Sequence, residues 1–264
     1  MTTIVREIDG LEVRVHPDQA ALARDAAERA AAVLREVVGE RGSARAMFAT
    51  GNSQLAFVDA LTSFHSGDGE RDVPWHAVDV FHMDEYVGVG PDHPAGFQRW
   101  IRERITERVH PRSAEYLDGL AGLADPEGEC RRYTGLLSEG MDLVCLGIGE
   151  NGHLAFNDPG EADFDDPLDV KVVTLDEACR AQQVGEGHFP DLDAVPAQAM
   201  TVTIPALLRA EVVLAIVPEG RKAQAVHDAL TDVVSTRCPA SVLRTRDNVT
   251  LYLDLDSSAL LALP

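Results

Sequence analysis

Short apolar runs recur along this chain with stretches of helical spacing between them, and that alternation constrains the fold more than any other feature. The runs are Ala46-Met47-Phe48-Ala49, Val78-Asp79-Val80-Phe81-His82, Leu143-Val144-Cys145-Leu146-Gly147, Val212-Val213-Leu214-Ala215-Ile216-Val217 and Val249-Thr250-Leu251-Tyr252-Leu253. Runs this short and this apolar read as buried parallel strands. Residues 17–40, rich in Ala, Leu, Glu and Arg, predict a helix, and so do 54–64, with Leu55, Val58 and Leu61 on one face. Residues 97–109 and 221–230 have the same spacing. Strand alternating with helix predicts an α/β fold, Rossmann-like and doubly wound, with a mostly parallel sheet and helices on both faces. Ligands of such sheets sit at the carboxyl ends of the strands, so the residues after each run are where chemistry is expected. Residues 160–169, acidic and without periodicity, read as a loop.

At 264 residues, 45% of them hydrophobic, the chain can bury one large core, and 1–264 is expected to form a single domain. No run of eighteen apolar residues occurs, which excludes a spanning helix, and the N-terminus lacks the basic-then-apolar layout of a secretion signal. Cys130, Cys145, Cys179 and Cys238 form no CxxC or Cys/His cluster, so a reduced, cytoplasmic setting is expected. The formal charge of −21 repels nucleic acid and anionic lipid, so neither is expected as a partner. The same field repels a phosphorylated metabolite in bulk. Any phosphate site must therefore be a local concentration of N–H groups and a few cations, although an acidic surface by itself serves solubility.

Three strand ends carry candidate chemistry. In Ala49-Thr50-Gly51-Asn52-Ser53 a glycine permits a tight turn, Ser53 is placed to cap a helix, and free N–H groups there attract an anion. Most such joints are only turns. In Phe81-His82-Met83-Asp84-Glu85-Tyr86-Val87-Gly88 two adjacent carboxylates follow an apolar strand directly, where desolvation is costly and raises a carboxyl pKa towards that of a general base. The competing reading is a solvated pair or a helix cap. In Gly147-Ile148-Gly149-Glu150-Asn151-Gly152-His153-Leu154-Ala155-Phe156-Asn157-Asp158-Pro159 the glycines bring backbone close to something, and Asp158 is spaced to hold the His153 imidazole in one tautomer. A histidine making a structural bond in a Gly-rich turn is the plainer alternative. Its late position in the chain sets it apart from a dinucleotide-binding turn.

The second and third of these segments resemble, in order and spacing, the F-x-M-D-E-Y-V-G and G-x-G-x-x-G-H-x-x-F-N-E-P segments of the glucosamine-6-phosphate deaminase/isomerase family. Residues 49–53 are similar to its phosphate loop, and His93-Pro94 with Phe97 falls at a matching helix start. The likeness extends over most of the chain. The superfamily includes 6-phosphogluconolactonases, whose Gly-His segment does not continue into Phe-Asn-acid-Pro, as this one does.

The resemblance implies an aldose–ketose isomerase and deaminase that converts glucosamine 6-phosphate, or a related amino-sugar phosphate, to fructose 6-phosphate and ammonia. It implies Asp84 as the base between C2 and C1, His153 as the residue that opens the ring, and Asn151 and Asp158 as its assistants. Thr50, Gly51, Asn52, Ser53, Glu85 and Lys222 are implied as substrate- or phosphate-binding residues. No metal or organic cofactor is implied, the partner is a small-molecule sugar phosphate, and a homo-oligomer is possible in the family. This chain departs from the pattern at Asp158, where glutamate is usual and the reach is shortened by ~1.5 Å. It departs again within Gln182-Gln183-Val184-Gly185-Glu186, where a phosphate-binding arginine is expected and Arg180 is the nearest substitute. Around residues 165–173, where some members carry a basic effector site, only Lys171 is basic. Two other readings remain: a lactone hydrolase or other sugar-phosphate isomerase of the same fold, separated by acid rather than ammonia release, and a non-catalytic sugar-phosphate sensor, marked by binding without turnover.

Overall fold

The computed structural model describes residues 3–64, 72–175, 177–185, 187 and 189–262, and the side chains of these except at 177–179 and 182. The Cys179 and Gln182 side chains and residue Glu186 therefore lie outside the described residues. The strands are β1 (Ile4–Ile8), β2 (Leu11–His16), β3 (Ala44–Phe48), β4 (Val78–His82), β5 (Asp84–Tyr86), β6 (Ser113–Glu115), β7 (Leu143–Leu146), β8 (Val170–Thr174), β9 (Gln198–Val202), β10 (Val212–Val217) and β11 (Val249–Asp254). The helices are α1 (Gln19–Arg41), α2 (Leu55–Thr62), α3 (Phe97–Ile101), α4 (Glu107–Val109), α5 (Gly119–Ala124), α6 (Pro126–Leu137), α7 (Glu177–Gly185), α8 (Ile204–Leu208) and α9 (Ala223–Thr231). A π-helical stretch, Arg102–Thr106, joins α3 to α4, so the expected helix over 97–109 is continuous but wider in the middle.

The larger sheet has the order β1-β2-β11-β10-β7-β3-β4-β6. Every neighbouring pair is parallel except β1 with β2, which forms an edge hairpin through Asp9 and Gly10, both at positive φ. Side chains alternate between two cores. On β10, Leu214 and Ile216 join Ala46 and Phe48 of β3 under α1 and α2, while Val213, Ala215 and Val217 join Met47 on the opposite face. The doubly wound prediction thus holds, because strands buried on both faces need helices on both.

Helix α1 begins where the Asp18 carboxylate accepts from Ala21 N–H at 2.7 Å and ends at Gly42, φ 81. Its inward stripe, including Leu22, Leu34 and Val37, contributes about 1.5–3 kcal/mol for each such side chain.

A second, antiparallel sheet, β5-β9-β8, was not expected. Its residues Tyr86, Val173 and Ala199 pack with Phe156 and Phe189 in a small core of their own. The chain order reverses between β3 and β7: β3 leads to β4 and β6 on one side, whereas β7 leads to β10 and β11 on the other. A crevice forms outside the carboxyl ends at such a reversal. The Ala49 N–H bound to Cys145 O at 2.8 Å ties the two strand ends together there.

Candidate active site

The cleft at that reversal spans ≈ 660 Å³ with its open mouth included. It is lined by Thr50, Gly51, Asn52, Ser53 and Gln54 after β3, by Met83 and Asp84 after β4, and by Gly147, Ile148, Gly149, His153, Ala155 and Phe156 after β7. Arg221 and Lys222 enter after β10, and Phe97 and Gln183 from α3 and α7.

The β3 loop turns at Gly51, φ 103, into a single 3₁₀ turn, Asn52–Gln54, before α2 begins. Ser53 is not the cap expected of it. No side chain caps either helical start, and the Ser53 hydroxyl instead lies 3.3 Å from Gln54 Nε2. The extra 3₁₀ turn moves the α-helical start beyond its reach. Gln54 is itself buried, donating to Ile216 O at 3.0 Å, and so fixes this loop to β10.

Asp84 and Glu85 sit on β5, in register with Thr201 and Met200 of β9. Successive strand residues point to opposite faces, so the two carboxylates part company. Asp84 faces the cleft; Oδ1 is buried and has no hydrogen-bond partner among the described residues. Burial raises its pKa well above the usual carboxylate value, and the nearby Glu85 charge adds to the effect. Glu85 does not line the cleft, contrary to the expectation that it binds substrate. It accepts from Phe97 N–H at 3.2 Å and Gln98 N–H at 2.7 Å, holding the start of α3, and from Tyr86 N–H at 2.9 Å. Burial pushes its pKa up to about 7 against the opposing pull of these N–H groups.

The end of β4 is pinned just before Asp84. His82 Nε2 accepts from Leu117 N–H at 2.8 Å, and Tyr133 Oη donates to His82 O at 2.8 Å. Burial lowers the His82 pKa to about 3, so this imidazole stays neutral and structural.

The Gly-rich turn holds His153 from several sides. Its Nδ1 lies 3.0 Å from Asp158 Oδ1, and the same oxygen accepts from Asn151 Nδ2 at 2.8 Å. Asn151 Oδ1 in turn accepts from His153 N–H at 3.0 Å. The shorter aspartate therefore still reaches the ring. An Nδ1–H donated to Asp158 leaves Nε2 as the nitrogen able to exchange a proton. Asp158 and Asn151 stand behind His153 rather than on the cleft wall. A Cβ on Gly149 would fall 2.2 Å from His153 Cε1, so only glycine leaves room for this ring. Gly152, φ 85, and Ala155, φ 50, complete the reversal that turns the ring into the cleft, and alanine at positive φ is a strained choice.

Lys222 is buried at the cleft after β10, as expected. Arg180 does not substitute for the missing cation, because its guanidinium is turned to Leu192 O. Gln183 lines the cleft instead and accepts from Tyr86 Oη at 2.7 Å. Arg221 was not singled out from the sequence, although its place beside Lys222 at a strand end was a usable signal. Gln183 falls in the stretch where the family resemblance expects a phosphate-binding arginine, but its own uncharged side chain did not mark it out. Among the described residues no group of three or more His, Cys, Asp or Glu is placed to hold a metal.

This arrangement offers a desolvated carboxylate, an oriented imidazole, and cations and helix-start N–H groups around one cleft. Residues 17–252 match the family described as glucosamine-6-phosphate isomerases/6-phosphogluconolactonase. A glucosamine-6-phosphate deaminase of Geobacillus sp. (strain WCH70) is 33% identical over 92% of this chain and 94% of its own. The glucosamine-6-phosphate deaminase 1 of Bacillus subtilis (strain 168) is 29% identical over 88% of this chain and 93% of its own. The solved structure of a monomeric glucosamine-6-phosphate deaminase superposes with TM-score 0.83 and 30% identity, covering 94% of this chain and 99% of that one. A 6-phosphogluconolactonase from Shewanella baltica OS155 shares the fold, with TM-score 0.73 at 18% identity, over 96% of this chain and all of that one. With the matched family spanning most of the sequence and the expected segments meeting in one cleft, the chain belongs to the glucosamine-6-phosphate isomerase/6-phosphogluconolactonase family.

Proposed function

We propose that this protein is a glucosamine-6-phosphate deaminase: it opens the ring of an amino-sugar phosphate, isomerises it from aldose to ketose and releases ammonia. The observation that carries the reading is the pairing of Asp84 with the His153–Asp158–Asn151 group across one cleft. His153 moves the proton of the ring oxygen as the pyranose opens, with Asp158 stabilising the imidazolium that forms. Asp84 then takes the proton from C2 and returns it to C1. Water adds to the resulting C2 imine, and ammonia leaves with the proton balance closed by the same two groups.

A carboxylate in this role needs a raised pKa so that it abstracts and returns protons near neutrality, and burial without a partner supports that for Asp84. Lys222 and the N–H groups around Gly51, Asn52 and Ser53 hold the phosphate, with Thr50 beside them. Removal of one charge-assisted bond of about 1.5–3 kcal/mol means that Lys222→Ala weakens binding of the phosphorylated sugar roughly 10- to 150-fold. Buried thiols at Cys130, Cys145 and Cys238 support a reducing, cytoplasmic setting, and no described helix is long and apolar enough to cross a membrane.

The test is product analysis: ammonia and fructose 6-phosphate from glucosamine 6-phosphate, against acid release from a 6-phosphogluconolactone. Acid release without ammonia makes the protein a lactonase. Binding without either product makes it a sensor.

A further inference from the structure

We infer that Arg221 is the second cation that meets the substrate's phosphate, and that Glu150 and Glu219 hold its guanidinium until the phosphate displaces them. The inference rests on the sugar-phosphate reading above and adds a residue to it.

Arg221 lines the cleft beside Lys222. Its Nε lies 2.6 Å from Glu219 Oε2 and its Nη1 3.0 Å from Glu150 Oε1. Two carboxylate oxygens thus hold the guanidinium, neither from a residue that lines the cleft. Both carboxylate side chains are partly exposed, 30% for Glu219 and 43% for Glu150, and exposed pairs of this kind hold weakly. A dianion that meets the planar guanidinium through two parallel bonds is the stronger partner.

The backbone at Glu219 adds a second observation. It has φ 81 and ψ 134, a conformation that glycine adopts readily and glutamate does not. Asp254 Oδ2 accepts the Glu219 N–H at 3.1 Å, while the side chain is committed to Arg221. A glutamate kept in a glycine-like conformation marks its carboxylate as the useful part. In a chain of charge −21, a guanidinium shielded by carboxylates is also held in place until a ligand of higher charge arrives. The stretch where a second phosphate cation was expected supplies none among its described side chains: Gln183 is uncharged and Arg180 is turned to Leu192 O.

The two functions assigned to Arg221, binding phosphate and being held back by carboxylates, predict effects of opposite sign. The experiment measures affinity for glucosamine 6-phosphate and for glucosamine in wild type, Arg221→Gln, Arg221→Lys and Glu150→Gln. Each readout is a ratio of two sugars on the same protein, so a smaller folded fraction cancels. Arg221→Gln should reduce the preference for the phosphorylated sugar roughly 10- to 100-fold, and Arg221→Lys should restore part of it. Glu150→Gln should increase that preference about 2- to 5-fold, since a competitor for the guanidinium is gone. An unchanged preference in Arg221→Gln, or a decrease in Glu150→Gln, overturns the inference and leaves Arg221 as a tie between two loops. A wild type that does not prefer the phosphorylated sugar overturns the sugar-phosphate reading itself.

Discussion

Two buried carboxylates near the cleft, Asp84 and Asp158, are held in different ways. On the small antiparallel sheet, Asp84 is shut away with an oxygen that no described group satisfies, and burial raises its pKa. On the Gly-rich turn, Asp158 is at least as buried, yet Oδ1 accepts from both Asn151 and His153. A buried carboxylate left facing a cleft is costly to the fold and useful as a base, whereas one whose Oδ1 grips two neighbours is a rigid brace. The difference teaches that function here is distributed by hydrogen bonding rather than by burial. In the proposed reaction Asp84 exchanges protons with the sugar, while Asp158 Oδ1 keeps the imidazole still.

The largest effect expected from breaking this contrast is at Asp84. Asp84→Asn should lower kcat roughly 10²- to 10⁴-fold while circular dichroism and the unfolding midpoint show a folded protein. Near-normal turnover would discard Asp84 as the base.

Next is His153. His153→Gln should slow the cyclic sugar by about 10²-fold and a pre-opened analogue much less, because the imidazole serves ring opening. Equal losses on both substrates would show that His153 acts elsewhere in the reaction.

A subtler cut leaves every polar group in place. Gly149→Ala puts a methyl 2.2–2.3 Å from Cε1, Nδ1 and Nε2 of His153 and must push the ring off Asp158. Turnover should fall roughly 10- to 100-fold from misplacement alone, with a smaller change in KM. Unchanged kcat would mean that the ring's position tolerates such a shift.

The smallest effect is on stability. A carboxyl whose folded pKa is raised contributes stability that is complete below its unfolded value, near 3.8 for Asp84, and is lost as pH rises through the folded value. Asp84→Asn removes that loss, so the variant should be more stable than wild type at pH 8, with the gap closing towards pH 4. Chemical denaturation at the two pH values checks this, and a variant less stable at pH 8 would mean that Asp84 is satisfied in solution.

Much of the large sheet was legible from residues alone. The runs that became β3, β4, β7, β10 and β11 are apolar because each strand is covered on both faces, and the helix α1 shows its period over many turns. The edge hairpin of β1 and β2 was overlooked although Asp9-Gly10 is a strong turn signal. The antiparallel sheet was hidden for another reason. β5 is three residues long and β8 and β9 five each, so none has enough sequence to display a period.

What the sequence by itself determined is the type of chemistry: a carboxylate pair after one strand, and a histidine with an aspartate five residues on in a Gly-rich turn. Those features are local, so covalent spacing largely dictates their geometry, and the 3.0 Å contact of His153 with Asp158 follows from it. Only the tertiary structure decided which of the adjacent carboxylates enters the cleft. Strand pleating sends Asp84 inward and Glu85 to the start of α3, and which is which depends on the pairing of β5 with β9, over a hundred residues away. The tertiary structure also decided that Gln183 and Arg221 share the site, because contact between distant segments is a property of packing and not of spacing.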